Sequence, residues 1–485
     1  MSDVNTGHDL EGAQSSDALW FLDPRGTNRD EARAFLHAAV DLVVDALAKD
    51  PLPTPGASAA LRSHGIPDEG LAPGALLDRA RQVVAGSSMP GSRGWIAHMD
   101  PPPSLASVAG DLIAAMLNNN LLSREMSPSL SALEDQLTLE FAARFGLPAG
   151  AGGVMVSGGT TANLHALVLA RAVGAAAGAN DCGVVTSDQA HVSVDKAVST
   201  MGIARHAYIR VPTGPDGRMR ASEVGQAIQG LRRRGATQLT IVATAGTTVL
   251  GAVDPLEEIA QIARAEAAWL HVDAAFGGAL QFSARWRSRL AGIDLADSIA
   301  FNPHKLLYVA RACAMLLFRD ASLNVDHFAT AAPYMDRTPG RTNLGELSLQ
   351  GSRDGAVLKL WLGASQFGWH GIDSLVDRAC SLAVDAAERI KRRPGLELAS
   401  EPDTALVVLR AKPRPGADQD RLNLEFRDHL MRAGFAVSAP VHRSARWLRL
   451  VFLNPAVGEP ELDALFDAVD GFLEAHRFDT RVAGS

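Results

Sequence analysis

At 485 residues the chain exceeds one ordinary domain, so roughly two or three packed units are expected. Apolar residues make up 47% and charged residues 21%, which fits a compact soluble protein with a large core. A net charge of -8 leaves no basic excess to neutralise phosphates, which argues against a nucleic-acid partner, and no apolar stretch reaches the length of a membrane span.

The first twenty residues are polar and slightly acidic, unlike a signal peptide. Cys182, Cys313 and Cys380 lie far apart without a CxxC pair, so neither a disulfide framework nor a zinc site is indicated, and a reduced cytoplasmic protein is expected. From Arg29 to Lys49, Ala32, Phe35, Leu36, Ala39, Val43 and Leu47 recur at helical spacing, with Asn28 placed to cap the helix. The run Pro51-Leu52-Pro53-Thr54-Pro55 breaks the chain, and a further helix near Gly74–Val84 leads into the loop Ser87–Ser92. Residues 1–93 thus read as a helical segment that needs the main domain or a partner subunit to pack against.

Residues 94–371 alternate apolar runs with helical patterns. Val154–Val156, Val184–Thr186, Ala207–Val211, Leu239–Ala243, Trp269–Val272, Ser298–Phe301 and Ala314–Phe318 read as strands. Thr161–Val173, Ser193–Met201, Ala221–Arg234 and Leu256–Ala267 read as the helices between them. Continuous apolar strands with intervening helices predict an α/β domain with a mostly parallel seven-stranded sheet covered on both faces. The run Arg232-Arg233-Arg234 reads as a solvated helix end. From residue 372 to 485 a long helix and short strands near Leu396–Ala399 and Ala405–Leu409 are followed by a helix at Leu422–Ala433. A strand pair at Phe435–Ser438 and Trp447–Phe452 and a last helix from Glu459 complete a small α+β domain.

In open α/β sheets the ligand site lies beyond the carboxyl ends of the strands, and the chemistry-bearing residues cluster there. Lys305, in Asn302-Pro303-His304-Lys305, sits at the exit of a buried segment, where a lysine can form a Schiff base with an aldehyde cofactor. The chain has only six lysines; Lys49, Lys196, Lys359, Lys391 and Lys412 fall in helical or polar-loop patterns where solvated amines are expected. Asp273 ends the apolar run Trp269–Val272, where a carboxylate is costly unless paired. A protonated pyridine nitrogen would supply that pair; a helix N-cap is the structural alternative. Lysine and aspartate together are the two groups that pyridoxal phosphate most needs.

The surrounding motifs are individually weaker. Ser157-Gly158-Gly159-Thr160-Thr161-Ala162-Asn163 joins a strand to a helix and fits either a phosphate cradle or an ordinary turn. It is neither a Walker loop nor a dinucleotide fingerprint. His191, in Asp188-Gln189-Ala190-His191, suits stacking on an aromatic cofactor and acid–base work, or a plain hydrogen-bonded position at a strand end. Thr244-Ala245-Gly246-Thr247-Thr248 offers a hydroxyl-rich wall or simple turn chemistry.

The set as a whole resembles the group II pyridoxal-phosphate decarboxylases, which act on aromatic amino acids, glutamate and diaminobutyrate. The matching blocks are Ser-Gly-Gly-Thr-Thr-Ala-Asn-Leu at 157–164, Ser-Asp-Gln-Ala-His at 187–191 and Ala-Thr-Ala-Gly-Thr-Thr at 243–248. They continue with Trp-Leu-His-Val-Asp-Ala-Ala at 269–275, Phe-Asn-Pro-His-Lys at 301–305 and Leu-Lys-Leu-Trp at 358–361. The resemblance implies the fold-type-I, aminotransferase-like architecture and a homodimer with sites at the subunit interface. It implies that Lys305 carries pyridoxal 5'-phosphate, that Asp273 pairs with the ring nitrogen, and that His191 and Ala275 cover the two ring faces. Gly159, Thr160, Thr248, Asn302 and His304 would surround the phosphate.

The family's mobile loop often carries a tyrosine that protonates the intermediate, and a gap-free count from Lys305 lands on Tyr334. From Tyr334 to Leu358 the chain is shorter than is usual in the family, which bears on the loop's reach. Where that tyrosine is missing, oxygen can intercept the intermediate and give an aldehyde instead of the amine. The segment Gly94-Trp95-Ile96-Ala97-His98-Met99 resembles the family's pocket lining, and Trp95, His98 and Met99 are the candidate substrate contacts. Its apolar members favour an apolar or aromatic amino acid, though they would serve equally as core. The expected activity is decarboxylation of an L-amino acid to the amine and carbon dioxide. The alternatives are decarboxylation with oxidative deamination to an aldehyde, or a catalytically silent binding protein; an intact set of Lys305, Asp273 and His191 argues against silence.

Overall fold

The computed structural model describes residues 21–49, 65–179, 181–331, 335, 341–413, 416 and 418–477. The chain divides into two compact units, Met1–Trp95 with Gly434–Ala436, and Ile96–Ala433 with Val437–Ser485. Tyr334 lies outside the described residues, so the structure gives no position for it.

The first unit contains α1 (Arg29–Leu47) and α2 (Pro73–Ala85), the latter opened by a proline whose missing N–H costs nothing at that position. Asn28 precedes α1 as expected but does not cap it. Its Oδ1 accepts from the Asp23 amide at 2.9 Å and its Nδ2 donates to the Phe21 carbonyl at 2.8 Å, which tightens the entering loop instead. No residue of α1 is buried, and Val40, Val43, Val44 and Leu47 are exposed. A parallel bridge joins Trp95 to Ala436. The strand expected at Phe435–Ser438 is reduced to that bridge and a second one between Ser438 and Arg449.

The second unit opens with two helices that the strand-and-helix reading did not include, α3 (Leu105–Leu117) and α4 (Pro128–Arg144). A seven-stranded sheet follows, interleaved with helices. Its elements are β1 (Gly152–Val156), α5 (Gly159–Ala176), β2 (Cys182–Ser187), α6 (Val192–Thr200), β3 (Tyr208–Val211), α7 (Ala221–Arg233), β4 (Gln238–Thr244), α8 (Leu256–Ala265), β5 (Trp269–Asp273), β6 (Ser298–Phe301) and β7 (Ala314–Phe318). The strand order is β1-β7-β6-β5-β4-β2-β3, and only β7 is reversed, running antiparallel to both β6 and β1. The carboxyl ends of β1, β2, β4, β5 and β6 therefore share one edge.

Local sequence explains these elements. In β4, Ile241, Val242 and Ala243 have no exposed surface, as a central strand covered on both faces requires. In α7 the buried residues Val224, Ala227, Ile228 and Leu231 fall three or four apart, one apolar stripe against the sheet. Arg232 closes that helix by donating to the carbonyls of Ala236, Thr237 and Glu266, more structural than a solvated end. Beneath β6 an aromatic cluster holds the strand end that leads to Lys305. Phe301 meets Phe145 edge-on at 5.4 Å between centroids, and Phe282 meets Phe141 edge-on at 5.6 Å.

After α9 (Ser322–His327), the helix α10 (Ala356–Lys391) begins earlier than the expected Ile372 and kinks at Gly368, whose φ is +59°. It crosses α3 so closely that a Cβ on Gly110 would stand 2.7 Å from the Lys359 Cα. Beyond it come β8 (Leu396–Leu398), β9 (Leu406–Ala411), α11 (Gln419–Arg432), a hairpin of β10 (Val441–His442) and β11 (Ala445–Arg446), β12 (Leu448–Val451) and α12 (Glu459–Ala475). The antiparallel sheet β12-β9-β8 and the stacked Phe426–Phe472 pair, 4.4 Å apart, organise this region. No helix among the described residues is long and apolar enough to cross a membrane.

Candidate active site

Where the strand ends converge, the second unit encloses a cavity of about 300 Å³. Its wall includes Gly159, Thr160, His191, Thr248, Asp273, Ala275, Asn302, His304, Lys305 and Met99, so the fold brings together nearly all of the residues singled out from the sequence. The sheet accounts for this: Gly159 and Thr160 follow β1, His191 follows β2, Thr248 lies beyond β4, Asp273 and Ala275 stand at the end of β5, and Asn302–Lys305 follow β6. His98 is not on the wall; its ring lies near Arg449 and Asp100, and burial lowers its pKa. Trp95 belongs to the first unit, and Ile96, 2% exposed, is packed as core.

Lys305 shares the cavity with Asp273. Burial, helped by the Arg311 charge and opposed by Asp273, brings the Lys305 amine down to about 8, close to the neutral form that attacks an aldehyde. Its Nζ stands 5.8 Å from the centre of the Phe276 ring. Asp273 is 5% exposed and is not a helix N-cap. Its Oδ1 accepts from the Ala275 amide at 3.1 Å and its Oδ2 from Asn163 Nδ2 at 2.8 Å. His191 does cap a helix: its Nδ1 accepts from the Ser193 amide at 3.2 Å at the start of α6. The structural and functional readings of this histidine are therefore compatible, since the cap fixes the ring while it faces the cavity. Burial lowers its pKa, with Asp273 opposing and Lys305 adding to the effect.

The opposite wall fits a phosphate. The first turn of α5 presents Gly159 and Thr160 with the positive end of the helix dipole. A Cβ on Gly159 would come within 3.2 Å of Asn302 Nδ2 and 3.3 Å of the Ala275 Cβ, so a side chain here would crowd this side of the cavity. Asn302 Oδ1 and Thr244 Oγ1 are buried without a hydrogen-bond partner. Orphaned polar atoms at a cavity wall are expected where a polar group binds. Asn302 Nδ2 meets His304 Nε2 at 3.4 Å, and the other ring nitrogen bonds to the Cys313 carbonyl; burial lowers His304 to about 4, so the ring is neutral. The donor set, the glycine cradle and the lysine–aspartate pair all suit pyridoxal phosphate.

Three residues were not assigned from the sequence. Asn163 was quoted within a motif without a role, although an asparagine among Ala162, Ala166 and Leu167 on a buried helix face was a usable signal. Arg449, on β12, is 8% exposed and donates to the carbonyls of Thr248 and Ala97 and to Ser438 Oγ. Among the described residues no carboxylate forms an ion pair with it. Lys359 was expected to be solvated; it is 2% exposed, and its Nζ reaches Asp111 Oδ1 at 2.8 Å and the Arg311 carbonyl at 3.1 Å. The tight α3–α10 crossing buries its stem, and those two oxygens make the burial tolerable.

A half-buried lysine sharing a cavity with an aspartate, a glycine-opened helix N-terminus and an α/β sheet of this order define a fold-type-I pyridoxal-phosphate enzyme. Residues 55–412 match the pyridoxal-dependent decarboxylase conserved domain, and the chain belongs to that family. It is 33% identical to the L-2,4-diaminobutyrate decarboxylase of Rhizobium meliloti (strain 1021), with 92% of each chain covered. Its identity to the acidic amino acid decarboxylase GADL1 of Homo sapiens is 29%, covering 83% of this chain and 82% of that one. Among solved structures, Oryza sativa TDC with PLP and tryptamine superposes with a TM-score of 0.87 at 25% identity, covering 94% of this chain and 100% of that one. The protein is a pyridoxal-phosphate-dependent amino-acid decarboxylase.

Proposed function

We propose that the protein converts an L-amino acid with an apolar or aromatic side chain to the amine and carbon dioxide, with Lys305 as the residue that carries the cofactor. The observation that supports this most is the shared cavity of Lys305, Asp273 and His191. When bound, pyridoxal phosphate accepts the electron pair left at the α-carbon as carbon dioxide departs. Asp273 would hold the ring nitrogen in its protonated form, and His191 and Ala275 would cover the ring faces. Gly159, Thr160, Thr248, Asn302 and His304 would hold the phosphate. Arg449 would attract the substrate carboxylate, because a buried guanidinium bonded only to neutral oxygens retains its full charge for an anion.

For the side chain, Met99 and Phe276 provide apolar wall. One observation favours an acidic side chain instead: Arg311 is also among the residues that line the cavity. Arg311 is paired with Asp100, however, and the pair is about half exposed, so solvent screens its pull on an anionic side chain. A panel of L-amino acids, with carbon dioxide, amine, aldehyde and peroxide followed together, tests the reading. Fast turnover of acidic substrates and none of apolar ones would overturn the side-chain assignment.

Tyr334 is the proposed proton donor to the former α-carbon. The wild type should then release amine and carbon dioxide in equal amounts with little oxygen uptake. Tyr334→Phe should divert the product towards aldehyde, ammonia and peroxide, and excluding oxygen should change the ratio. Unchanged amine yield and rate in the variant would leave His191 as the donor.

We further propose a homodimer with sites at the subunit interface. On α3 the buried residues are Ser107 and Gly110, while Leu105, Val108, Leu112, Ile113, Met116 and Leu117 are all exposed. With Trp361 of α10, 44% exposed, they make an apolar surface that a second copy would cover.

A further inference from the structure

Behind the cavity wall a line of polar side chains runs from β5 and β6 to α6, and its proton positions follow from the groups in it that can only accept or only donate. Trp269 Nε1 can only donate, and it donates to Ser298 Oγ at 2.9 Å. Ser298 Oγ keeps a second lone pair, so the direction of its 2.9 Å contact with His271 Nδ1 is set from the other side: the Asp273 carboxylate can only accept, which turns the Asn163 Nδ2 towards it and the Asn163 Oδ1 towards His271. Asn163 Oδ1 can only accept, so the His271 proton sits on Nε2, 2.9 Å away, and Nδ1 of the neutral ring accepts the Ser298 hydroxyl. The amide of Asn163 is thus oriented, and its two hydrogens go to Asp273 Oδ2 and Ser193 Oγ, each at 2.8 Å. His191 Nδ1 accepts from the Ser193 amide, which can only donate, so the Ser193 hydroxyl, which accepts from Asn163, turns its own hydrogen to the same nitrogen at 2.8 Å. Asn163, Ser193, His271 and Ser298 are 1% exposed or less. Water therefore offers no ready substitute for the bonds among these four, and reversing one of them would orphan another.

We infer that Asn163 is a positioning residue that ties Asp273 and His191 into one hydrogen-bond line of fixed direction, holding the His191 ring neutral with its proton on Nε2. The inference deepens the proposed reading of the site and rests on it. Asn163 sits one helical turn beyond Gly159, so the same end of α5 that faces the phosphate side also orients the two groups assigned to the ring. Two donors to Nδ1 leave that nitrogen no room for a proton, whereas Nε2 has no partner that forbids one. Burial independently keeps His271 neutral, down to about 4. The charged groups that act on His191 are Asp273, Lys305, Lys196 and Asp195, two of each sign, so they do not by themselves select a tautomer.

The test is a nitrogen NMR titration of holoenzyme carrying isotope-labelled histidine, with the His191 signal assigned by its loss in His191→Asn. In the wild type, Nδ1 should appear as an unprotonated acceptor and Nε2 as the protonated nitrogen. Asn163→Leu removes both donors, freeing Ser193 Oγ to accept from Nδ1 and leaving Asp273 less neutralised. The His191 midpoint should then move up by about one pH unit, a tenfold gain in proton affinity. In a Ser193→Ala background the same substitution should produce a much smaller shift, because the connecting hydroxyl is gone. Retention of pyridoxal phosphate on dialysis should fall in Asn163→Leu and stay near wild type in Ser193→Ala, which leaves the Asp273 bond intact. A protonated Nδ1 in the wild type, or equal shifts in the two backgrounds, would overturn the inference. The wild-type tautomer decides it even if Asn163→Leu does not fold. Failure of the proposed reaction would look different: no carbon dioxide from any amino acid, with the His191 tautomer unaltered.

Discussion

Asp273 is tolerated at the end of β5 because it is met by two N–H donors, from Ala275 and Asn163, and because the cavity beside it suits a cation. In the proposed site, removing it would leave the ring nitrogen without a partner. Loss of a buried charge partner costs roughly 3–5 kcal/mol, so Asp273→Ala should slow turnover by roughly two to four orders of magnitude. Circular dichroism should show the fold retained, and steady-state rates should carry the loss; near-normal turnover would remove Asp273 from the mechanism. Residue types at strand ends made this part of the site legible from sequence: Lys305, Asp273, His191 and the glycine turn all lie where the chain order placed them. Arg449 and Lys359 were not legible, for a physical reason. Their importance comes from burial among carbonyl oxygens contributed by distant segments, and a charged side chain in a helix or strand pattern reads as solvated.

Three buried histidines belong to the elements that frame the cavity. His165 on α5 bonds to Asn324 Oδ1 at 2.9 Å and stacks on Phe328 at 4.0 Å; His271 lies on β5 and His304 just after β6. Burial lowers all three to about 4. An unfolded histidine titrates near ~6.5, so between those values the unfolded chain binds more protons than the native one. The stabilisation from keeping them neutral is complete above about pH 6.5 and is lost as pH falls towards 4. Thermal melts should therefore show Tm dropping across this window, and His165→Gln, away from the cavity, should flatten the drop. A Tm indifferent to pH over that range would contradict the assignment. The strands and helices of the sheet were legible because their apolar runs are continuous. By contrast, α3 escaped the reading because its apolar face is turned outward and its buried face is made of Ser107 and Gly110, the reverse of the usual pattern.

At the scale of the whole molecule, the outward apolar face of α3 and the exposed Val40, Val43, Val44 and Leu47 of α1 are costly for a monomer. Sedimentation at micromolar concentration should give a dimer, and Leu112→Glu with Met116→Glu on α3 should dissociate it with loss of activity. A fully active wild-type monomer would remove the subunit interface from the account. The proposed attachment of the cofactor to Lys305 is tested most directly by covalent capture. Borohydride reduction of the holoenzyme followed by peptide mapping should place the pyridoxyl group on Lys305 alone, with loss of the cofactor's visible absorbance. A label on Lys196 or Lys359, or a cofactor washed away after reduction, would contradict it.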